Sequence, residues 1–184
     1  MAAEPPRETA LASQYGFAGR LLRVRVDTVR LPNGGEGVRE VVEHPGAVAV
    51  VALTADDRLL LVQQYRHAAG RMLLELPAGT LEPDEPPVET ARRELIEETG
   101  HAAARLTEVV TFFPSPGYSA ERIVLFRADG CVPVRHERAA EEPTRVVPVA
   151  MTDVPRLLTP GPDQVTDGKT LVGLLWLLHE ASRH

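Results

Sequence analysis

A chain of 184 residues with 43% hydrophobic content can bury one sizeable core, and with only 4% aromatics Val, Leu and Ala must fill it. The net charge of −6 excludes a nucleic-acid backbone as the main partner, and the single Cys131 excludes an intrachain disulfide. The opening MAAEPPRETALASQYG lacks the basic start and apolar run of a signal peptide. Apolar runs such as 171–178 are too short to cross a bilayer, so a cytoplasmic protein without membrane contact is expected.

In chain order, residues 1–16 read as a mobile tail. From Leu22 the pattern alternates, with Leu22, Val24 and Val26 on one face and Arg23, Arg25 and Asp27 on the other, which predicts a half-exposed strand. The turn Pro32-Asn33-Gly34-Gly35 leads to a returning strand over 38–42. His44-Pro45-Gly46 breaks the chain. AVAVVALT at 47–54 predicts a buried strand, and RLLLVQQY at 58–65 its antiparallel partner. A short strand over 72–76 runs into Pro77-Ala78-Gly79 and a helix. Strands over 106–113 and 121–128 flank a Pro- and Gly-rich loop. A charged loop over 137–143 precedes a strand over 145–149. Thr166 or Asp167 caps a last helix whose apolar stripe is Leu171, Leu174, Leu175 and Leu178. Strands flanking a central helix, with helices near the end, predict an α/β/α sandwich on a mixed sheet.

The densest chemistry lies in residues 79–101, GTLEPDEPPVETARRELIEETGH. Asp84 is placed to cap a helix whose first turn holds Pro86 and Pro87, and Gly100 fits the left-handed position after its end. Val88, Ala91, Leu95 and Thr99 form the stripe expected to pack on a sheet. Glu94, Glu97 and Glu98 share an arc of about 100° on the helix, three and four residues apart. Like charges at that spacing destabilise a helix by a few tenths of a kcal/mol, roughly, and a hard divalent cation such as Mg²⁺ would neutralise them. Arg93 lies four residues from Glu89 and from Glu97 and can hold a carboxylate in place.

Gly79, Glu85 and the run Arg93-Glu94-Leu95-Ile96-Glu97-Glu98-Thr99-Gly100 resemble the Nudix box at every fixed position except the last, where His101 replaces an aliphatic residue. The resemblance implies the Nudix fold and hydrolysis of a nucleoside diphosphate linked to another group. It implies Glu94 and Glu98 as main metal ligands, with Glu97 and the Ala78 carbonyl assisting, and Mg²⁺ as the ion, Mn²⁺ being the alternative. Glu82 supports the site or is an exposed loop carboxylate.

Three further features are similar to the ADP-ribose pyrophosphatases of that family. Pro116, in Ser115-Pro116-Gly117-Tyr118-Ser119-Ala120-Glu121, stands sixteen residues after Gly100, as in those enzymes. Glu121 would then face the substrate, where a carboxylate accepts hydrogen bonds from ribose hydroxyls. Gln63-Gln64-Tyr65-Arg66 matches a stretch ahead of the box, and Arg66 would pair with the diphosphate through its planar fork, or is a surface arginine at a strand end. Glu142, or Glu141, matches a glutamate from a mobile loop proposed as general base or metal assistant.

The resemblance also implies a division into a tail (1–16), an N-terminal antiparallel β extension that dimerises (17–44) and a Nudix domain (45–184). The expected protein is a homodimer that hydrolyses ADP-ribose to AMP and ribose 5-phosphate. The alternatives are a Nudix hydrolase of another nucleoside diphosphate sugar such as GDP-mannose, or a module that binds ADP-ribose without turnover.

Overall fold

A computed structural model describes residues 6–20, 22–135 and 144–183. Its strands are β1 (Thr9–Ala18), β2 (Arg23–Arg30), β3 (Glu36–Glu43), β4 (Ala47–Thr54), β5 (Arg58–Arg66), β6 (Arg71–Glu75), β7 (Ala78–Thr80), β8 (His101–Ala102), β9 (Arg105–Phe112), β10 (Ile123–Pro133) and β11 (Arg145–Ala150). The helices are α1 (Pro87–Thr99) and α2 (Gly168–Ala181), with 3₁₀ turns at His67–Ala69 and Met151–Leu158.

Two sheets form. The first is antiparallel, in the order β1-β2-β3. The second runs β11-β5-β4-β10-β8, with β6 on β5, β7 on β4 and β9 on β10. Only β4 and β10 run parallel among its named pairs, so the sheet is mixed. β4 is apolar on both sides because both faces of the sheet are covered. Val48, Val50, Leu60, Val124 and Phe126 meet Ala91 and Leu95 of α1. Ala49, Val51, Leu59, Leu61 and Leu125 meet Val154, Leu157, Leu174 and Leu177 on the other side. The chain is therefore an α/β/α sandwich. Each fully buried leucine contributes about 2–3 kcal/mol relative to an exposed one.

The sequence reading needs correction at several points. Residues 9–16 belong to β1, whose backbone pairs with β2 along its length. The segment TALASQYGFA shows no clear alternation because its side chains are exposed and the ladder is made by main-chain groups. On β2 the polar face is the covered one: Asp27 and Val29 are buried, and Asp27 accepts from Arg25 Nε at 2.8 Å. Arg25 in turn reaches Glu43 at 2.7 Å, so the charges are matched under cover.

Asp84 does not cap α1. It sits in the left-handed region at φ 63°, and Pro86 precedes Pro87 at the first helical position. Asp167, by contrast, does cap α2, accepting from Thr170 N at 3.0 Å. The buried stripe of α2 is Thr170, Gly173, Leu174 and Leu177, while Leu175 is exposed. Gly173 sets this rotation: a Cβ there would lie 2.4 Å from Leu76 Cδ1, so the helix rests with its backbone on the sheet. Glu89 pairs with Arg92 rather than Arg93.

Cys131 is buried, and burial pushes its thiol up to about 11, which keeps it protonated and inert. Among the described residues no helix is long and apolar enough to cross a membrane.

Candidate active site

The segment 75–79, Glu-Leu-Pro-Ala-Gly, is clamped between the two helices. Leu76 N donates to Thr170 Oγ1 of α2 at 2.8 Å, and Ala78 N donates to Glu98 Oε2 of α1 at 2.8 Å. Val50 N donates to Pro77 O at 2.9 Å, which ties the same segment to β4. Glu94 lies under Gly79: a Cβ at that glycine would stand 2.0 Å from Glu94 Cδ and 2.1 Å from Oε1. Only a residue without a side chain lets the carboxylate occupy this place.

Arg93 organises the rest of the acidic face. Its Nη1 donates to Glu94 Oε1 at 2.7 Å and to Glu97 Oε2 at 3.1 Å, and its Nη2 donates to Glu85 Oε2 at 3.1 Å. Thr90 Oγ1 donates to the same Glu85 oxygen at 2.8 Å. Arg93 and Thr90 together hold Glu85 below the usual carboxylate range. Glu82 reaches Arg93 only at 3.7 Å, with its side chain 67% exposed. Glu97, at 46% exposure, stands on the rim.

Burial pushes Glu98 up to about 7, opposed by the Ala78 N–H and assisted by the Glu94 charge; Arg66 and Lys169 are near enough to pull it down. Burial also raises Glu94, against the pull of Arg93. Two carboxylates a helical turn apart, both desolvated and one repelling the other, lack a compensating charge that Arg93 alone does not supply to Glu98. This donor set fits a hard divalent cation. Among the described residues no three His, Cys, Asp or Glu side chains already converge, because Arg93 draws Glu94 and Glu97 toward itself.

A pH-dependent response follows. Without the ion, Glu98 binds a proton more tightly folded than unfolded. Its contribution to stability is therefore fully present below the ordinary carboxylate pKa and is lost as pH rises through about 7. A divalent cation held here would need the deprotonated carboxylate, so the gain in Tm on adding one, with Mg²⁺ as the probe, should grow from about pH 5.5 to about pH 8. Differential scanning fluorimetry with and without Mg²⁺ checks this. An equal gain at both ends would contradict the role of Glu98.

Arg66 ends β5 and is held by Glu75, its Nε donating to Oε1 at 2.7 Å. Leu81 N donates to Gly46 O at 3.0 Å and Ala47 N donates to Arg122 O at 2.9 Å, so the loops bearing Glu82 and Glu121 meet at Gly46. Glu121 is half-buried, and its N–H donates to Ser119 Oγ at 3.1 Å. Pro116 and Gly117 are exposed on a loop joined to the first sheet: Val42 N donates to Tyr118 O at 2.7 Å and Ala120 N to Val42 O at 2.9 Å. Glu141 and Glu142 lie outside the described residues.

Sequence reasoning missed Glu75 and Lys169. Glu75 is 1% exposed and is held by Arg66 and by Lys169. The available signal was a carboxylate inside the otherwise apolar run MLLEL, since an acidic residue is rarely buried unless paired.

Comparison with known proteins agrees with this geometry. The NUDIX domain profile matches residues 43–170, and that of the nucleoside diphosphate sugar hydrolase N-terminal domain matches residues 8–42. The chain is 37% identical over 172 residues to an ADP-ribose pyrophosphatase of Bacillus subtilis, covering 92% of each chain. It is 36% identical over 178 residues to the methanol dehydrogenase activator of Bacillus methanolicus, covering 96% of each. A crystal structure of an ADP compounds hydrolase superposes with a TM-score of 0.81 at 25% identity, over 96% of this chain and 95% of that one. With a Nudix profile over most of its length and a box whose Glu94 is seated on α1 beneath Gly79, the chain belongs to the Nudix family.

Proposed function

We propose that this protein is a Mg²⁺-dependent ADP-ribose pyrophosphatase that cleaves the diphosphate to give AMP and ribose 5-phosphate. The observation that carries the reading is the seating of Glu98 on the Ala78 N–H and of Glu94 under Gly79, two desolvated carboxylates on one helix. The name of the Bacillus subtilis relative supports ADP-ribose as the substrate, and the matched N-terminal domain supports a nucleoside diphosphate sugar class.

In this reading Glu94, Glu98 and the Ala78 carbonyl hold the cation, with Glu97 joining on release from Arg93. A divalent ion held by these residues would supply charge masking for the diphosphate, a lowered pKa for the attacking water and stabilisation of the leaving phosphate. Arg66 binds the diphosphate, Glu82 and Glu121 line the approach, and the Pro116-Gly117 loop shapes the pocket for the nucleoside. A glutamate of the 137–143 loop, Glu142 or else Glu141, accepts the proton of the water as its oxygen bonds to phosphorus and the bridging P–O bond breaks. Glu142→Gln should then lower kcat about a hundredfold with a smaller change in KM. Steady-state kinetics of both loop variants checks this, and an unchanged kcat in both would remove the loop from the chemistry.

We further place the enzyme in the cytoplasm as a homodimer. β1 is an edge strand and exposes Leu11, Tyr15 and Phe17, a ready surface for a second copy. Light scattering at micromolar concentration should give twice the chain mass, and a clean monomer would refute the dimer. The substrate is tested by a panel at equal concentration. ADP-ribose should exceed GDP-mannose in kcat/KM by at least about tenfold, a difference of 1.4 kcal/mol in transition-state binding. A preference for GDP-mannose would favour the alternative sugar nucleotide.

A further inference from the structure

Glu75 ends β6 with its side chain 2% exposed and grips Arg66 along one edge. Arg66 Nε donates to Oε1 at 2.7 Å and Nη2 donates to Oε2 at 2.8 Å. Lys169 Nζ donates to Oε2 as well, and also to Asp167 Oδ2 at 3.0 Å. Asp167 caps α2, and Thr170 Oγ1 donates to it at 2.6 Å while accepting from Leu76 N at 2.8 Å. A closed network thus joins β5, β6 and the first turn of α2, directly behind Ala78 and Glu98.

The four charges balance, Arg66 and Lys169 against Glu75 and Asp167, so compensation accounts for the number of cations but not for the two-point grip on Arg66, which keeps 42% of its side chain exposed. What the second contact does is fix a plane. With Nε and Nη2 engaged, the guanidinium cannot rotate, and the edge formed by Nη1 and the second N–H of Nη2 has no protein hydrogen bond among the described residues. That edge has the geometry for two phosphate oxygens. Glu75 stands three residues before Ala78, whose N–H donates to Glu98 Oε2 at 2.8 Å, so the network sits on the same short segment that meets Glu98.

We propose that Glu75 is a positioning residue for the diphosphate: it locks Arg66 in one orientation, with Lys169 and Asp167 anchoring Glu75 to α2. The proposal rests on the reading of Arg66 given above. Less ordering entropy is then lost when substrate binds, which is the physical content of preorganisation.

The test is a double-mutant cycle read in KM for ADP-ribose with Mg²⁺, on Arg66→Ala, Glu75→Gln and the pair. Arg66→Ala should raise KM about tenfold, and Glu75→Gln by a comparable factor, with kcat changed less than about threefold. In the Arg66→Ala background, Glu75→Gln should add less than about twofold, because there is no longer a guanidinium to position. A residue that only supports the fold would lower Tm and kcat and would multiply with Arg66→Ala. Because Glu75→Gln alone leaves Arg66 and Lys169 with Asp167 as their one carboxylate in the network and can impair folding, Glu75→Gln/Lys169→Met is made in parallel; it removes one charge of each sign and should carry the same KM defect. An unchanged KM for Arg66→Ala would overturn the diphosphate role of Arg66 and this proposal with it. A raised KM for Arg66→Ala with fully multiplicative or absent effects of Glu75→Gln would overturn the positioning role alone.

Discussion

Replacing Glu98 by glutamine should cut Mg²⁺-supported turnover by at least roughly a hundredfold, since even outer-shell partners of metal ligands cost ten- to a hundredfold when removed. The fold should survive. Gln keeps the shape and retains an oxygen that can accept from Ala78 N, the contact Glu98 makes at 2.8 Å. The metal-free variant should match the parent below the ordinary carboxylate pKa, become more stable than it as pH rises toward about 7, and keep a constant advantage above that, because a desolvated carboxylate with its pKa pushed up to about 7 has been removed. Its Tm should also stop responding to Mg²⁺. Glu94→Gln should lose turnover to a similar degree but with some loss of stability, since Glu94 also accepts from Arg93 at 2.7 Å. Turnover and Tm measured on the same preparations separate these outcomes. A Glu98→Gln enzyme with near-parental activity at limiting Mg²⁺ would contradict the metal assignment.

Gly79→Ala should be nearly as damaging to activity through a single methyl group. The added Cβ would meet Glu94 Cδ at 2.0 Å and Oε1 at 2.1 Å, far inside van der Waals contact. The obstructing atoms belong to the end of a flexible side chain, so the carboxylate moves and β7 stays. Gly79 has an ordinary negative φ, and alanine there brings no backbone strain. We expect Tm within a few degrees of the parent, roughly 1 kcal/mol, and turnover lower by about a hundredfold. A large excess of Mg²⁺ should restore part of the loss if the displaced Glu94 can still be recruited. Unchanged turnover would mean that the position of Glu94 in this structure is not the functional one.

The parts of the fold legible in the sequence were those with a local signal. AVAVVALT is a strand buried on both faces, and α1 carries its stripe of Ala91, Leu95 and Thr99 inward and its glutamates on the adjoining side. The box could be read because its spacing is a property of one helix. What failed depends on distant partners. β1 is held by backbone bonds to β2, so its side chains carry no pattern. Asp84 has the chemistry of a cap, yet a proline two residues on ends the loop first. Glu75 and Lys169 meet across 94 positions of sequence, and no spacing rule spans that distance. Leu175 has the periodicity of a buried residue, but Gly173 turns the helix so that Leu177 takes the core instead.

The site follows the same division. The clustering of Glu94, Glu97 and Glu98 with Arg93 on one helix face was legible from residue type and register, and the contacts of Arg93 to Glu94 and Glu97 are local to that helix. The seating of Glu94 under Gly79 and the lock on Arg66 required three dimensions, because each joins segments that the chain separates.

The central claim is Mg²⁺-dependent cleavage of the ADP-ribose diphosphate by the carboxylates of α1. Incubating the protein with ADP-ribose and Mg²⁺, then separating products with and without chelator, tests it most directly. AMP and ribose 5-phosphate in equal amounts, abolished by chelator and by Glu98→Gln, is the expected result. Intact ADP-ribose after prolonged incubation, or cleavage that persists with chelator, would contradict it.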